Sequence, residues 1–250
     1  MARLRLLLRS ARLLGLVALG LGLAAWVSLR ERLPGADVTP LRQRLTRWWL
    51  ARLCAALPFE VRVSGEAPRQ PMLWVANHVS WTDIPLLGAL APLTFLSKAE
   101  VRAWPLAGWL AEKAGTLFIR RGSGDSRLIN QRLAEQLHRG RNLLIFPEGT
   151  RIPVGQMGKF SRGGTALAVN AGLPVLPIAH NAGQYWPKAG WAKYPGTIQV
   201  VIGPAMHAEG EGPRAIAELN QRAEAWVSET MAEISPIQQR VSHPEPSVVS

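Results

Sequence analysis

From residue 60 onward, short apolar runs alternate with helical patterns, and this alternation limits the possible folds more than any other feature of the chain. The runs at 60–64, 71–76, 93–97, 116–120, 142–146, 174–178 and 197–202 have the length and β-branched or aromatic content of strands. Helical patterns occupy 83–91, 104–113, 125–139, 162–171 and 213–234. In 125–139, Leu128, Ile129, Leu133 and Leu137 make one apolar stripe, and Gly140 stops it. Strands alternating with helices argue for an α/β domain, with a mostly parallel central sheet flanked by helices. The segment 174–178 carries two prolines and reads as an edge strand or a pocket wall. A loop rich in Gly, Pro and Trp is expected from 180 to 196. The tail from 235 to 250 holds Pro236, Pro244 and Pro246 with little periodicity.

An N-terminal membrane-anchoring helical module is expected to precede that domain. Leu13 to Leu29 is 17 uncharged residues, with Arg3, Arg5, Arg9 and Arg12 before it and Arg30 and Arg32 after it. As a helix it would span roughly 25 Å, short of a hydrocarbon core of about 30 Å. It therefore reads as an uncleaved anchor that either spans a thinned bilayer or lies partly embedded. No small-x-small cleavage site with a clean mature start follows it. In 41–57, Leu41, Leu45, Trp48, Trp49, Leu53, Ala56 and Leu57 recur at helical spacing, while Arg42, Arg44, Arg47 and Arg52 fall largely elsewhere. Such a basic amphipathic helix suits a membrane interface, and it can also pack on the globular domain. The organisation is then 1–58 anchor and amphipathic helix, 59–234 globular domain, and 235–250 tail.

Charge points the same way. The chain has 250 residues and a net charge of +12. Residues 1–69 hold twelve Arg against Glu31, Asp37, Glu60 and Glu66, which makes +8. Concentrating the excess beside the longest apolar run favours an anionic membrane over nucleic acid, and no nucleic-acid module is recognisable. A single cysteine, Cys54, excludes an internal disulfide framework and a cysteine-rich zinc site. His138, His180, His207 and His243 show no metal-ligand spacing, and neither a zinc nor a P-loop motif is present.

Three polar clusters directly follow strand candidates. Residues 77–83 read NHVSWTD. Five residues turn a continuous helix through about 500°, so His78 and Asp83 can meet only across a strand-to-helix turn. There Asp83 can accept a hydrogen bond from one His78 ring nitrogen and leave the other free as a general base. Alternatively, Thr82 or Asp83 caps the helix that Pro85 opens. Residues 115–122 read GTLFIRRG; Arg120 and Arg121 project to opposite sides of an extended chain, so one can face a pocket and bind phosphate. Residues 146–151 read FPEGTR, which gathers a carboxylate, a glycine, a hydroxyl and a guanidinium at one strand end. Glu148 can bond substrate hydroxyls or orient an Arg, and Gly149 would let substrate approach the backbone. Lys159 and Arg162 bracket Phe160, either binding a donor phosphate or simply solvated. Ser80 and Ser161 lack a nucleophile-elbow context.

NHVSWTD, GTLFIRRG, FPEGTR and VLPIAH occur in that order over residues 77 to 180. Together they resemble the motifs of the glycerolipid acyltransferase family, in particular the bacterial 1-acyl-glycerol-3-phosphate acyltransferases. The resemblance covers roughly residues 60 to 205. It implies that His78 is the general base and Asp83 its orienting partner. It implies that Arg121, with Arg120 beside it, and Glu148, Gly149, Thr150 and Arg151 serve the acceptor site. Val175, Leu176 and Pro177 would lie on the acyl side. Two positions depart from the family pattern: Arg120 stands where many members have a small polar residue, and Ser161 where a Lys often follows the Phe.

The resemblance implies acyl transfer from acyl-CoA or acyl-carrier protein to the sn-2 hydroxyl of 1-acyl-glycerol-3-phosphate. No cofactor and no metal are expected. The expected partners are membrane lipids, a lysophospholipid acceptor and the acyl donor, without nucleic acid. The expected location is the cell inner membrane with the active site on the cytoplasmic side. O-acylation of another lysolipid, such as lyso-ornithine lipid, keeps the chemistry and changes the acceptor. A non-catalytic lipid-binding protein is the alternative of another class, and it predicts that His78→Ala leaves function intact.

Overall fold

The computed structural model describes residues 2–35, 37–67, 69–119, 126–189 and 193–235. Seven strands form one sheet: β1 (Phe59–Ser64), β2 (Leu73–Ala76), β3 (Leu93–Lys98), β4 (Leu117–Ile119), β5 (Asn142–Ile145), β6 (Val175–His180) and β7 (Gly196–Ile202). Their spatial order is β1-β7-β6-β2-β5-β3-β4. All neighbouring pairs are parallel except β6 with β7.

The helices are α1 (Ala2–Arg30), α2 (Thr39–Ala56), α3 (Asp83–Leu90), α4 (Ala107–Lys113), α5 (Ser126–His138), α6 (Gly163–Asn170) and α7 (Gly212–Ile234). Strand alternation sorts them into two layers. Trp74, Ala76, Leu144, Leu176 and Ile178 point to one face, where Leu50 and Cys54 of α2 and Leu86 and Leu87 of α3 cover them. Leu73, Val75, Leu143, Ile145 and Val175 point to the other, under Leu133 and Leu137 of α5, Leu167 of α6, and Leu219 and Ala223 of α7. Both faces of β2 are therefore dry, which explains its unbroken apolar sequence.

Several expectations need correcting. The strand at 175–180 is interior, lying between β7 and β2, and all six of its residues are buried. Pro174 precedes the strand, and Pro177 within it is tolerated for a geometric reason. The Pro177 carbonyl accepts from Gly203 N–H, just past the end of β7, so the N–H that Pro177 lacks also falls on that side and not in the β2 ladder. Because β6 runs to His180, the segment expected as loop from 180 begins as strand and continues into a 3-10 turn at Ala182–Gln184. Helix α4 begins at Ala107, not at 104, because Pro105 holds Trp104 in extended backbone (ψ 129).

The N-terminal module also differs in detail. Helix α1 continues well before Leu13, so the segment Leu7–Arg30, 24 residues, is long and apolar enough to cross a membrane. That is about 36 Å of helix. Leu7, Leu8, Leu14 and Leu29 lie exposed along it. Helix α2 does pack on the globular body, but through Leu50, Cys54 and Ala56, and its Trp48 is exposed. Trp49 turns instead toward α1: its Nε1–H donates to the Leu16 carbonyl at 2.7 Å. Gly20 makes this possible, because a Cβ there would sit 2.6 Å from Trp49 Cζ2. An ion pair between Arg42 and Glu31 closes the connection between the two helices.

Candidate active site

The sheet register assembles the site. β2 pairs with β5 at a constant offset, from Leu73 with Leu143 to Val75 with Ile145. Just past the ends of these strands, Glu148 Oε1 accepts from His78 N–H. β2 pairs with β6 from Leu73 with Val175 to Ala76 with Ile178, and Asn77 at the end of β2 then bonds the backbone of His180 at the end of β6. His78, Glu148 and His180 thus lie at or just past the carboxyl ends of three adjacent parallel strands, where open α/β sheets place their sites.

Between β2 and α3 the chain turns around one carboxylate oxygen. Asp83 Oδ2 accepts from His78 Nδ1 at 2.6 Å, from Val79 N–H at 2.8 Å and from Ser80 N–H at 3.0 Å. The Asp83 side chain is wholly buried, while that of His78 is 21% exposed. Since a carboxylate only accepts, His78 carries its proton on Nδ1, and Nε2 is left as the basic atom. Asp83 is therefore the His78 partner and not a helix cap. Thr82 precedes α3 with αR backbone and no side-chain capping bond. Its hydroxyl pairs with Ser80 Oγ at 2.7 Å inside the turn. The Phe146 ring stacks on the His78 imidazole, with centroids 4.1 Å apart and planes 16° from parallel, so the ring is held by a face as well as by an edge.

After β5, Phe146–Gly149 is a tight turn closed by Gly149 N–H to the Phe146 carbonyl at 3.0 Å. Gly149 has φ +68, a backbone that favours glycine. Glu148 does not point freely at a substrate hydroxyl. Its Oε1 accepts from His78 N–H at 3.0 Å, and its Oε2 from Gly158 N–H at 3.2 Å. It ties the His78 turn to the loop preceding α6, and Ile152 N–H adds a bond to the His78 carbonyl at 2.7 Å. Burial pushes the Glu148 carboxyl up to about 7, against the pull of its two backbone donors; the negative charges of Asp83 and Glu224 push the same way as burial.

Thr150 is exposed. Arg151 is half-buried, with its guanidinium 4.3 Å from the Trp81 ring centroid, and its Nη1 is buried without a hydrogen-bond partner. A cation with an unfilled donor, beside the turn that carries His78, is suited to an anionic group. Trp81 in turn leans on Trp104, and both are exposed at the site's rim. Lys159 and Arg162 are exposed. Arg120 and Arg121 lie outside the described residues.

His180 is the site residue that sequence reasoning missed. It is fully buried. Its Nε2 lies 3.8 Å from Asp83 Oδ1, and its backbone N–H and C=O are both held by the Asn77 side chain, at 3.0 and 2.9 Å. No spacing in the chain marks it, because its proximity to Asp83 arises only through the β2–β6 register. Among the described residues no group of His, Cys, Asp and Glu could hold a metal ion.

Known proteins fit this arrangement. The family model described as Acyltransferase matches residues 59–181, which contain every described residue of the site. A lyso-ornithine lipid O-acyltransferase of Pseudomonas aeruginosa is 88% identical over 179 residues, covering 72% of this chain and 69% of that protein. A 1-acyl-sn-glycerol-3-phosphate acyltransferase of the same organism is 62% identical over 229 residues, covering 86% and 88%. The crystal structure of the 1-acyl-sn-glycerophosphate (LPA) acyltransferase PlsC from Thermotoga maritima shares the fold, with TM-score 0.75 and 23% identity over 94% of this chain and all of that one. With a relative matched at this identity over most of both lengths, the chain belongs to the acyltransferase family.

Proposed function

We propose that this enzyme O-acylates a lysolipid hydroxyl, with His78 as general base, and that its acceptor is a lyso-ornithine lipid. The observation that carries the chemistry is the 2.6 Å bond from His78 Nδ1 to a buried Asp83, which leaves Nε2 as the basic atom; Arg151, held over Trp81 of the same turn, keeps an unfilled Nη1. His78 Nε2 takes the acceptor's hydroxyl proton as the oxygen attacks the thioester carbonyl. The tetrahedral intermediate expels the thiolate, which takes the proton back from His78. Ester and thiol result, with no covalent enzyme intermediate and no cofactor. The donor is acyl-CoA or acyl-carrier protein. An acidic carrier would be steered by the basic chain. A soluble donor and a lipid acceptor meet at the cytoplasmic face of the inner membrane, where exposed α1 leucines and the Arg-rich N-terminus would hold the enzyme.

The relative at 88% identity supports lyso-ornithine lipid as acceptor. Lysophosphatidic acid is the second reading, supported by the 62% relative that matches more of the chain. Either acceptor presents an anionic group to Arg151. The test is acyl transfer from labelled acyl-CoA and acyl-carrier protein to each lysolipid in detergent. Wild type should form ornithine lipid, and His78→Ala should lose activity by on the order of 10²–10⁴-fold. Phosphatidic acid as the only product selects the second acceptor. Product formed equally by folded His78→Ala removes His78 as the base.

A further inference from the structure

Three buried polar atoms around Asp83 have no hydrogen-bond partner: Oδ1 of Asp83 and both ring nitrogens of His180. Two of them face each other, His180 Nε2 and Asp83 Oδ1, 3.8 Å apart. That is roughly 0.6 Å beyond the outer limit of an N–H···O bond. Buried polar groups of native proteins find partners, and no other described group offers one to either atom. The three bonds to Asp83 all converge on Oδ2, so the carboxylate has its second oxygen to give.

We infer that His180 is a positioning residue, a neutral imidazole whose Nε2–H donates to Asp83 Oδ1 in the working enzyme. Asp83 then lies between two imidazoles, bonded through Oδ2 to the one that takes the proton and through Oδ1 to one that never does. Burial lowers the proton affinity of the His180 imidazole and so favours its neutral form; the Asp83 charge opposes this, and charge on His78 pushes the same way as burial. Its position is fixed from the backbone by Asn77, the residue before His78. This arrangement has a kinetic consequence. A donor on Oδ1 draws part of the carboxylate's charge away from His78. Without it, Asp83 would favour the His78 imidazolium more strongly, and the base would be blocked by protons at a higher pH. The titratable groups that act on His180 are Asp83 at the start of α3 and His78 at the end of β2. Glu148, after β5, and Glu224 on α7 lie one step further out, acting on each other and on the His78 turn.

Two measurements on the full chain in detergent test this. The first is the ring nitrogen spectrum of histidine-labelled wild type, assigned through variants of the other four histidines. An Nε2–H tautomer at His180 across the neutral range is expected; the Nδ1–H tautomer overturns the inference. The second is the pH dependence of kcat for His180→Leu and His180→Gln. The Leu variant should move the acid limb to higher pH by about 0.5–1 unit. It should lower kcat roughly 10-fold, with little change in KM. Gln, which can place an N–H near the same point, should restore most of both. A Leu variant with the wild-type limb overturns the inference, since a purely structural role would leave that limb in place. If the Leu variant does not fold, a Gln variant with the wild-type limb together with the Nε2–H tautomer supports the inference, and either one failing overturns it. The kinetic arm rests on His78 as base. The tautomer arm does not, so a wild type inactive on both lysolipids would refute the proposed function and leave the His180 inference to the spectrum.

Discussion

Glu148 combines two duties that pull in opposite directions. Its oxygens hold the backbone of His78 and Gly158, which favours the charged form, yet burial raises its carboxyl from 4.5 to about 7. A group whose folded value lies above its unfolded value binds its proton more tightly when folded. Its contribution to stability is therefore full below about 4.5 and is lost as pH rises through about 7. The expected result is a thermal midpoint that falls over this window in wild type and falls less in Glu148→Gln; parallel curves would contradict the assignment. At this scale the sequence was legible where partners are close in the chain. His78 and Asp83, five residues apart across a turn, were readable as a pair. Glu148 was readable as a site residue but not as a backbone tie, and Arg151 only as one cation among several. Its unfilled donor and its seat on Trp81 depend on the folded rim.

Among the elements, strands and helices emerged largely as the periodicity of the chain indicated, because each buried face is written in one short segment. What the segment does not record is its neighbour. The prolines at 174 and 177 suggested an edge, and only the position of Gly203 beside Pro177 explains the one inside β6. His180 remained hidden for the same reason, since its role depends on the register of β6 against β2. The α1–α2 contact is a further case of non-local fit. The Trp49 ring occupies the space on α1 where Gly20 has no side chain, with its indole N–H on the Leu16 carbonyl. Gly20→Leu should separate the two helices at a cost of about 1–3 kcal/mol. The readouts are faster proteolysis between them and a red-shifted Trp49 emission, measured against a Trp49→Phe background; unchanged rates and emission would refute the contact.

Seen as a whole, the molecule is polarised. The first 69 residues carry +8 of its +12. They also hold the one described helix with the length and composition of a membrane span. Arg44 and Arg52 on α2 are exposed, the latter over the Trp48 ring. Binding to vesicles should therefore have an apolar part insensitive to salt and a cationic part that salt removes. The double substitution Arg44→Gln with Arg52→Gln should weaken flotation with phosphatidylglycerol vesicles by about 1 kcal/mol per charge at low salt. It should leave binding to phosphatidylcholine vesicles unchanged; equal loss on both would show that the arginines act through the fold.

The bonds gathered on Asp83 Oδ2 also bear on how the protein reaches its native state. Every donor to that oxygen lies within five residues of Asp83, so closing this loop costs little chain entropy. The bond from His78 N–H to Glu148 and the approach of His180 to Asp83 instead span 70 and 97 residues of chain. Closing contacts of that separation costs more chain entropy. The His78–Asp83 pair can thus close within one short segment of chain, at little entropic cost and without the long-range contacts that surround it in the folded domain.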